Sequence, residues 1–241
     1  MPAPTLVNAL LYGRTEGLSP EVLFLFARTG LIHLFSASGF HMSVAILLAR
    51  GAGRILAPLI SHPRGPPAIS FGLSLFMMIF FGAVTEWSSP MVRAFSFAAI
   101  LSLAALLEVK PTAAWVFALS LIAAAAFGRG SWLSYALSAC GMAGLLLVRP
   151  KNLLTLALAP WATSLPLCTW YFQLFSGAAP LWNLTIGALI GITVLPLAIL
   201  HLLLASIGFD EPWALPLAER LMAGFVRLLE RGDAIVGLSF W

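Results

Sequence analysis

Five polar side chains fall within eleven residues of a strongly apolar stretch, GLIHLFSASGFHMSV at 30–44: His33, Ser36, Ser38, His41 and Ser43. On a continuous helix, at about 100° per residue, His33, Ser36 and Ser43 lie within about 80° of one another, and Thr29 joins them. Imidazole and hydroxyl groups on such a face predict either close helix packing, which Gly39 would assist, or one wall of a wet cavity. For the two histidines, packing or hydrogen bonding is the favoured interpretation.

Arg93 is the second candidate for chemistry. In TEWSSPMVRAFSFAAI, Ser88 or Ser89 is predicted to cap a helix, with Pro90 at its first position and Arg93 one turn inside it. Arginine keeps its charge, so within a membrane it must find a partner, reach the interface or face water. A serine-capped helix start with free N–H groups beside an arginine predicts an anion site. The alternatives are that Arg93 snorkels to the interface or pairs with Glu86.

The sequence lacks the residues that several other kinds of chemistry require. The only lysines are Lys110 and Lys151 and no GxxxxGK[ST] occurs, which excludes a P-loop ATPase. A His33–His41 metal pair would lack a third ligand, and no HExxH or GxSxG spacing is present. We therefore expect no metal, no cofactor, no catalytic residue and no enzymatic activity.

Composition indicates a membrane protein. Of the 241 residues, 61% are hydrophobic and 9% are charged, and the mean hydropathy is +0.99. Soluble domains carry about 25% charged residues. The formal net charge of +4 is small, and in a membrane protein such an excess more often orients the chain than binds nucleic acid. The predicted fold class is all-α, a polytopic integral membrane helix bundle.

About seven transmembrane helices are predicted, within one domain that covers residues 1–241. Their ranges are 31–49, 68–85, 90–107, 112–127, 132–148, 153–175 and 182–205. Interfacial amphipathic helices are predicted at both ends of the chain. The first has Ser19 as its N-cap, Pro20 at its first position and Gly30 past its end, and the second covers 214–231.

Basic residues predict the orientation of these spans. One side of the membrane holds three of them, Arg14, Arg28 and Arg129. The other side holds nine: Arg50, Arg54, Arg64, Lys110, Arg149, Lys151, Arg220, Arg227 and Arg231. Because cytoplasmic loops collect Lys and Arg, the N-terminus is predicted to be periplasmic and the C-terminus cytoplasmic.

The opening stretch closely resembles the signature of the ComEC competence family, the inner-membrane DNA channel of natural transformation. The matching residues are Gly30, His33, Leu34, Ser36, Ser38, Gly39 and His41. A second family stretch appears as SSPMVRAF, with Ser88, Ser89, Pro90, Arg93 and Ala94. A third appears as TSLPLCTWYFQLFSGAAPLWNLTIGALIGITVLPLAIL, and the resemblance is collinear over essentially the whole chain. The chain departs from the family at Trp132, which stands where members usually carry Gln.

The resemblance implies a channel that moves single-stranded DNA from the periplasm to the cytoplasm. The polar residues implied along the path are Arg93, Ser89, Ser88, His33, Ser36, Ser38 and His41. Trp87 and Trp132 are candidates for stacking bases, with interface anchoring as their alternative role. Two other functions stay open: transport of a small anionic or lipid-linked solute at Arg93, and a structural membrane scaffold.

Full-length family members resemble a three-part protein with an OB-type domain, this channel domain and a metallo-β-lactamase-like domain. Residues 1–241 are expected to contain the channel domain alone. Besides DNA and the lipid bilayer, the implied partners are therefore a separate nuclease, a DNA-receptor protein and a cytosolic helicase or single-strand-binding protein.

Overall fold

The computed structural model describes residues 5–36, 39–56, 58, 65–129, 131–149, 152–173, 175–209, 212–236 and 239–240. Across these residues the chain is helical apart from one pair of two-residue strands, which confirms the all-α class. The helices are α1 (Leu6–Tyr12), α2 (Pro20–Arg28), α3 (Gly39–Leu56), α4 (Gly65–Val84), α5 (Ser89–Leu106), α6 (Ala113–Phe127), α7 (Trp132–Leu147), α8 (Leu153–Phe172), α9 (Ala179–Ser206) and α10 (Ala214–Val236). Strands β1 (Phe175–Ser176) and β2 (Ser239–Phe240) pair antiparallel.

Six of the seven predicted spans agree with α4 to α9 to within three residues at each end. Two helices in the described part, α8 and α9, are long and apolar enough to cross a membrane. The apolar parts of four others are shorter: Ile69–Val84, Ser89–Ala104, Ala113–Phe127 and Trp132–Leu147. The structure is compatible with a membrane protein, and the number of seven spans stays a prediction.

The surface of α8 shows why lipid is a suitable neighbour. Within this apolar helix only Ala159 is buried by the rest of the protein. Near its end, Trp170 is 84% exposed and Tyr171 is 66% exposed. Apolar surface of this extent is costly in water and is satisfied by hydrocarbon.

The predicted N-terminal helix signals are confirmed in α2. The Ser19 hydroxyl accepts a hydrogen bond from the Val22 N–H at 3.4 Å, Pro20 opens the helix and Glu21 lies in its first turn. Gly30 follows the end of the helix with φ +74°, a left-handed conformation that suits glycine. The buried face of α2 consists of Leu25 and Phe26.

Successive helices α3–α4, α5–α6 and α7–α8 pack as antiparallel hairpins, because each pair is joined by a short connection. Glycines allow close approach within two of them. A Cβ at Gly53 would lie 2.5 Å from the Ser70 hydroxyl of α4. A Cβ at Gly144 of α7 would lie 2.5 Å from the Ala159 carbonyl oxygen of α8. The Thr163 hydroxyl also donates to the Cys140 carbonyl at 2.8 Å, which ties α8 to α7.

Replacing Gly144 with alanine is expected to destabilise the α7–α8 hairpin by about 1–3 kcal/mol, because backbone must move to admit the methyl group. Gly141 is the matched control, since a Cβ there would lie 3.9 Å from Pro160, an ordinary contact. Gly141→Ala should change stability by less than about 0.5 kcal/mol. The measurement is the thermal unfolding midpoint in detergent, and equal midpoints for the two variants would contradict the observed α7–α8 packing.

Helix α9 contains two π-helical turns, Asn183–Gly187 and Ile190–Val194. The second turn immediately precedes Pro196, which cannot donate to the carbonyl of residue 192 and whose ring displaces that carbonyl. A wider turn accommodates this missing bond. Gly187 and Gly191 lie within these turns and receive the side chains of Leu31 and Phe40, which leave no room for a Cβ at Gly191.

The helix predicted at 214–231 is confirmed as α10, and its location at the membrane surface stays a prediction. Helix α10 runs antiparallel beside α9: it starts close to the end of α9, and Gly232 near its own end contacts the Trp182 ring near the start of α9. Its apolar face is buried along its length by α9 and the N-terminal helices, at Ala214, Ala218, Met222 and Leu229. The apolar face of this amphipathic helix is therefore covered by other helices of the protein.

Helix α2, near the start of the chain, contacts the end of α10. Arg28 of α2 and Asp233 of α10 form an ion pair at 2.6 Å. Strand β2, after α10, pairs with β1, just before α9. The end of α2, the start of α9 and the end of α10 therefore lie at the same end of the bundle. The side of the membrane on which each terminus lies stays a prediction.

Candidate functional site

The start of α5 is closed by backbone pairing rather than by a capping serine. The Ser89 N–H donates to the Arg129 carbonyl at 2.8 Å, and the Arg129 N–H donates to the Trp87 carbonyl at 2.9 Å. The Ser88 hydroxyl is buried without a hydrogen-bond partner in the described structure. The Ser89 N–H, one of the first-turn donors predicted to be free, is therefore occupied, and Pro90 has no N–H to offer. The remaining support for an anion site here comes from Arg93.

Arg93 is only 7% exposed, on the side of α5 that faces α7. Its Nε–H and Nη2–H both donate to the Ser138 hydroxyl oxygen, at 2.9 and 2.5 Å. No carboxylate within the described ranges lies within 4 Å of the guanidinium. Glu86, the alternative partner that the sequence suggested, pairs instead with Arg14 at 2.5 Å, and both of these side chains are more than half exposed. The described structure therefore holds a buried cation against a neutral acceptor.

Ser138 is the site residue that sequence reasoning missed. It lies 45 residues beyond Arg93 and on a different hairpin, so no helical spacing connects the two. A polar residue in an apolar helix was the available signal. That signal also occurs at Ser134, one turn away on α7, and therefore does not single out Ser138.

The serine-rich stretch is not one continuous helix. Ile32–Phe35 form a 3-10 helix, Ser36 is extended, and α3 begins at Gly39, eight residues later than the predicted span. The predicted shared face of His33, Ser36, Ser43 and Thr29 is therefore wrong, because the helical period is interrupted. Ser38 lies outside the described residues.

The polar groups of this stretch face different surroundings. His33 is exposed, and its Nδ1 lies 2.9 Å from the Gly30 carbonyl oxygen. Ser36 is half-buried. Thr29 is buried and donates to the Leu25 carbonyl at 2.8 Å, and the exposed Ser43 donates to the Gly39 carbonyl.

His41 lies in the core. It is 0% exposed, it hydrogen-bonds with the backbone of Leu10 on α1, and its ring stacks at 6.5 Å on Phe81 of α4. These contacts tie α1 to the α3–α4 hairpin. The neighbouring Phe40 reaches Gly191 of α9 instead.

Replacing His41 with alanine is expected to destabilise the chain by about 2–4 kcal/mol, because a buried ring and its hydrogen bond are lost together. His33→Ala should cost less than about 1 kcal/mol, since His33 is exposed. The measurement is the unfolding midpoint in detergent together with transport. Unchanged melting with lost transport in His41→Ala would place His41 in a functional path instead.

The two tryptophans suggested for base stacking differ in accessibility. The Trp87 ring covers Gly82 and packs edge-on against Phe95 at 5.3 Å, so protein occupies its surface. Trp132 is 75% exposed and lies beside Tyr135 at 5.4 Å. Of the two, Trp132 has the free surface that stacking or interface anchoring requires.

A metal centre finds no support in the part of the chain that the structure describes. Within it, no group of three His, Cys, Asp or Glu side chains is close enough to hold a metal ion. Cys140 and Cys168 are free thiols.

Comparison with known proteins decides the family. The family model described as Competence protein matches residues 10–237. The chain belongs to the Competence protein family. Competence protein ComA of Neisseria gonorrhoeae is 32% identical over 145 residues, which cover 56% of this chain and 20% of that relative. The match thus spans about a fifth of the relative's length, and no solved structure matches the chain significantly.

Two of the stretches that carried the resemblance meet in space. A Cβ at Gly39, in the first stretch, would lie 3.6 Å from the Cβ of Ala94, in the second. Ala94 directly follows Arg93, so the beginning of α3 lies against the helix that carries the buried arginine.

Proposed function

We propose that this chain forms, or contributes to, a channel that passes single-stranded DNA across the cytoplasmic membrane during DNA uptake, with Arg93 as a contact for its phosphates. The family supports the role in uptake. The observation that carries the proposal is the burial of Arg93 against Ser138, with no carboxylate nearby in the described structure.

The buried positive charge of Arg93 requires compensation. A guanidinium stays protonated, and removing it from water is unfavourable unless an anion or several acceptors compensate. Ser138 supplies one neutral oxygen, which leaves the positive charge uncompensated. A phosphodiester group carries one negative charge and two oxygens that match the guanidinium fork. The site therefore suits a phosphate that arrives from outside.

The other residues proposed along the DNA path are supported by fewer structural observations than Arg93. Ser88, Ser89 and Ser36 supply hydroxyls near the starts of α5 and α3, and Ser88 has a buried hydroxyl with no partner in the described structure. Trp132 offers an exposed ring for stacking. His33 is exposed, whereas the core position of His41 argues for packing.

The sequence has no P-loop, so the energy for transport has to come from elsewhere. We propose a cytosolic helicase or single-strand-binding protein that pulls the strand, together with a separate nuclease and a DNA receptor. The proposed location is the bacterial inner membrane.

The test is uptake of a labelled single-stranded oligonucleotide into proteoliposomes that contain this chain, with binding protein trapped inside to retain the strand. Duplex DNA of the same sequence and inorganic phosphate serve as competing substrates. Uptake of the single strand alone supports the channel. Uptake of phosphate without DNA would support the small-anion transporter. If neither enters, the structural scaffold is the function that remains.

A further inference from the structure

Ser138 occupies the edge of Arg93 that a phosphate would use. Two of the five guanidinium N–H donors, on Nε and Nη2, converge on the single Ser138 oxygen at 2.9 and 2.5 Å. These two parallel donors form a fork that matches two oxygens of a carboxylate or phosphate. One neutral oxygen accepts both bonds, where an anion would accept each of them separately.

The same contact joins two hairpins. Arg93 lies on α5, which packs chiefly on α6, whereas Ser138 lies on α7, which packs chiefly on α8. Arg93 is 7% exposed, while Ser138 is only half-buried, so the hydroxyl lies on the more accessible side of the pair. An incoming phosphate would therefore meet Ser138 before it reached the guanidinium.

We propose that Ser138 is the resting occupant of the Arg93 phosphate site and that a substrate phosphate displaces it. This inference rests on the proposed function. A phosphate adds the attraction of opposite charges and offers one oxygen to each of the two donors, whereas the hydroxyl is neutral and has a single oxygen. A phosphate oxygen therefore outcompetes the hydroxyl, and its binding releases the contact between the α5–α6 and α7–α8 hairpins. In the empty state, the hydroxyl accepts two of the guanidinium donors and helps to hold the two hairpins together.

The test is the affinity of the purified full chain, in detergent, for a fluorescent single-stranded oligonucleotide, measured by anisotropy. Ser138→Ala removes the competing oxygen and should tighten binding roughly tenfold to a hundredfold, by the net contribution of a hydrogen bond to a charged group. Ser138→Asp supplies a permanent anion and should weaken binding by at least roughly tenfold. Ser138→Asn keeps a neutral acceptor and should bind much as the parent chain does.

Ser134 provides the matched controls, because it lies one turn away on the same helix and, in the described structure, Arg93 donates to Ser138 rather than to Ser134. Ser134→Ala and Ser134→Asp test the loss of a serine and the addition of a charge on α7. Ser134→Ala should leave affinity within about twofold of the parent, and Ser134→Asp should weaken binding less than Ser138→Asp does, since its charge lies farther from the guanidinium.

The outcomes separate this inference from the proposed function. If Arg93→Ala binds DNA as tightly as the parent chain, the phosphate site itself is wrong. If Arg93→Ala weakens binding and Ser138→Ala weakens it too, the phosphate site stands and Ser138 merely positions the arginine, which overturns the displacement. Unchanged affinity in both Ser138→Ala and Ser138→Asp, with Arg93→Ala weakened, would overturn it as well.

Discussion

Replacement of Arg93 by alanine is expected to reduce uptake of single-stranded DNA by at least roughly tenfold while the chain still folds, because one hydrogen-bonded charge contact is lost. Its partner in the described structure is the neutral Ser138, so the variant leaves one hydroxyl unsatisfied and no buried charge. The expected cost in stability is about 1–3 kcal/mol. Uptake into proteoliposomes and the unfolding midpoint are measured on the same preparation.

Arg93→Lys is the informative companion variant. Lysine keeps the charge but cannot present two parallel donors, so uptake should be intermediate. A second readout is the salt dependence of oligonucleotide binding. For single strands the slope of log affinity against log salt is about −0.7 per phosphate contact, so Arg93→Ala should lower its magnitude by about 0.7. A purely structural arginine would leave that slope unchanged, and normal uptake by Arg93→Ala would end the phosphate-site proposal.

Replacement of Arg28 by alanine is expected to destabilise the chain by about 3–5 kcal/mol, since it breaks a buried ion pair and leaves a carboxylate without its partner. The side chain of Asp233 is 9% exposed, whereas that of Arg28 is 33% exposed. The two single variants should therefore differ. Asp233→Ala leaves an arginine that can reach solvent and should cost only about 1–3 kcal/mol. Thermal and chemical unfolding in detergent measure both.

The double variant Arg28→Ala with Asp233→Ala provides the decisive comparison. It should be more stable than Arg28→Ala alone, because the stranded charge is gone. The exposed pair Arg14–Glu86 is the control, with side chains 57% and 65% exposed. Arg14→Ala should cost less than about 1 kcal/mol. Equal costs for Arg14→Ala and Arg28→Ala would show that the contact between α2 and α10 is not buried in the folded protein.

Local features could be predicted well from the sequence. The start of α2 at Ser19 and Pro20, and its end before Gly30, depend on residues a few positions apart. The ends of α4 to α9 follow the same logic, because turn residues and charged residues interrupt apolar runs. The predicted first span begins too early, because 31–36 is apolar and periodic in sequence, yet Ile32–Phe35 form a 3-10 helix and Ser36 is extended. Hydrophobic periodicity gives no signal for such a break in a helix.

The position of α10 could not be derived in the same way. An amphipathic helix needs an apolar neighbour, and the pattern does not say whether lipid or protein supplies it. The structure places α9 and the N-terminal helices on that face, and the Arg28–Asp233 pair fixes the end of the helix.

By itself the sequence determined the helical class, the apolar character, the family motifs and Arg93 as the buried charge to explain. These follow from composition and short-range spacing, which act along the chain. Only the tertiary structure decided that Ser138 holds Arg93, that His41 belongs to the core beside Leu10, and that Glu86 pairs with Arg14. Such contacts join distant segments. They are fixed by how helices pack, and the free energy of packing depends on surfaces that no single segment contains.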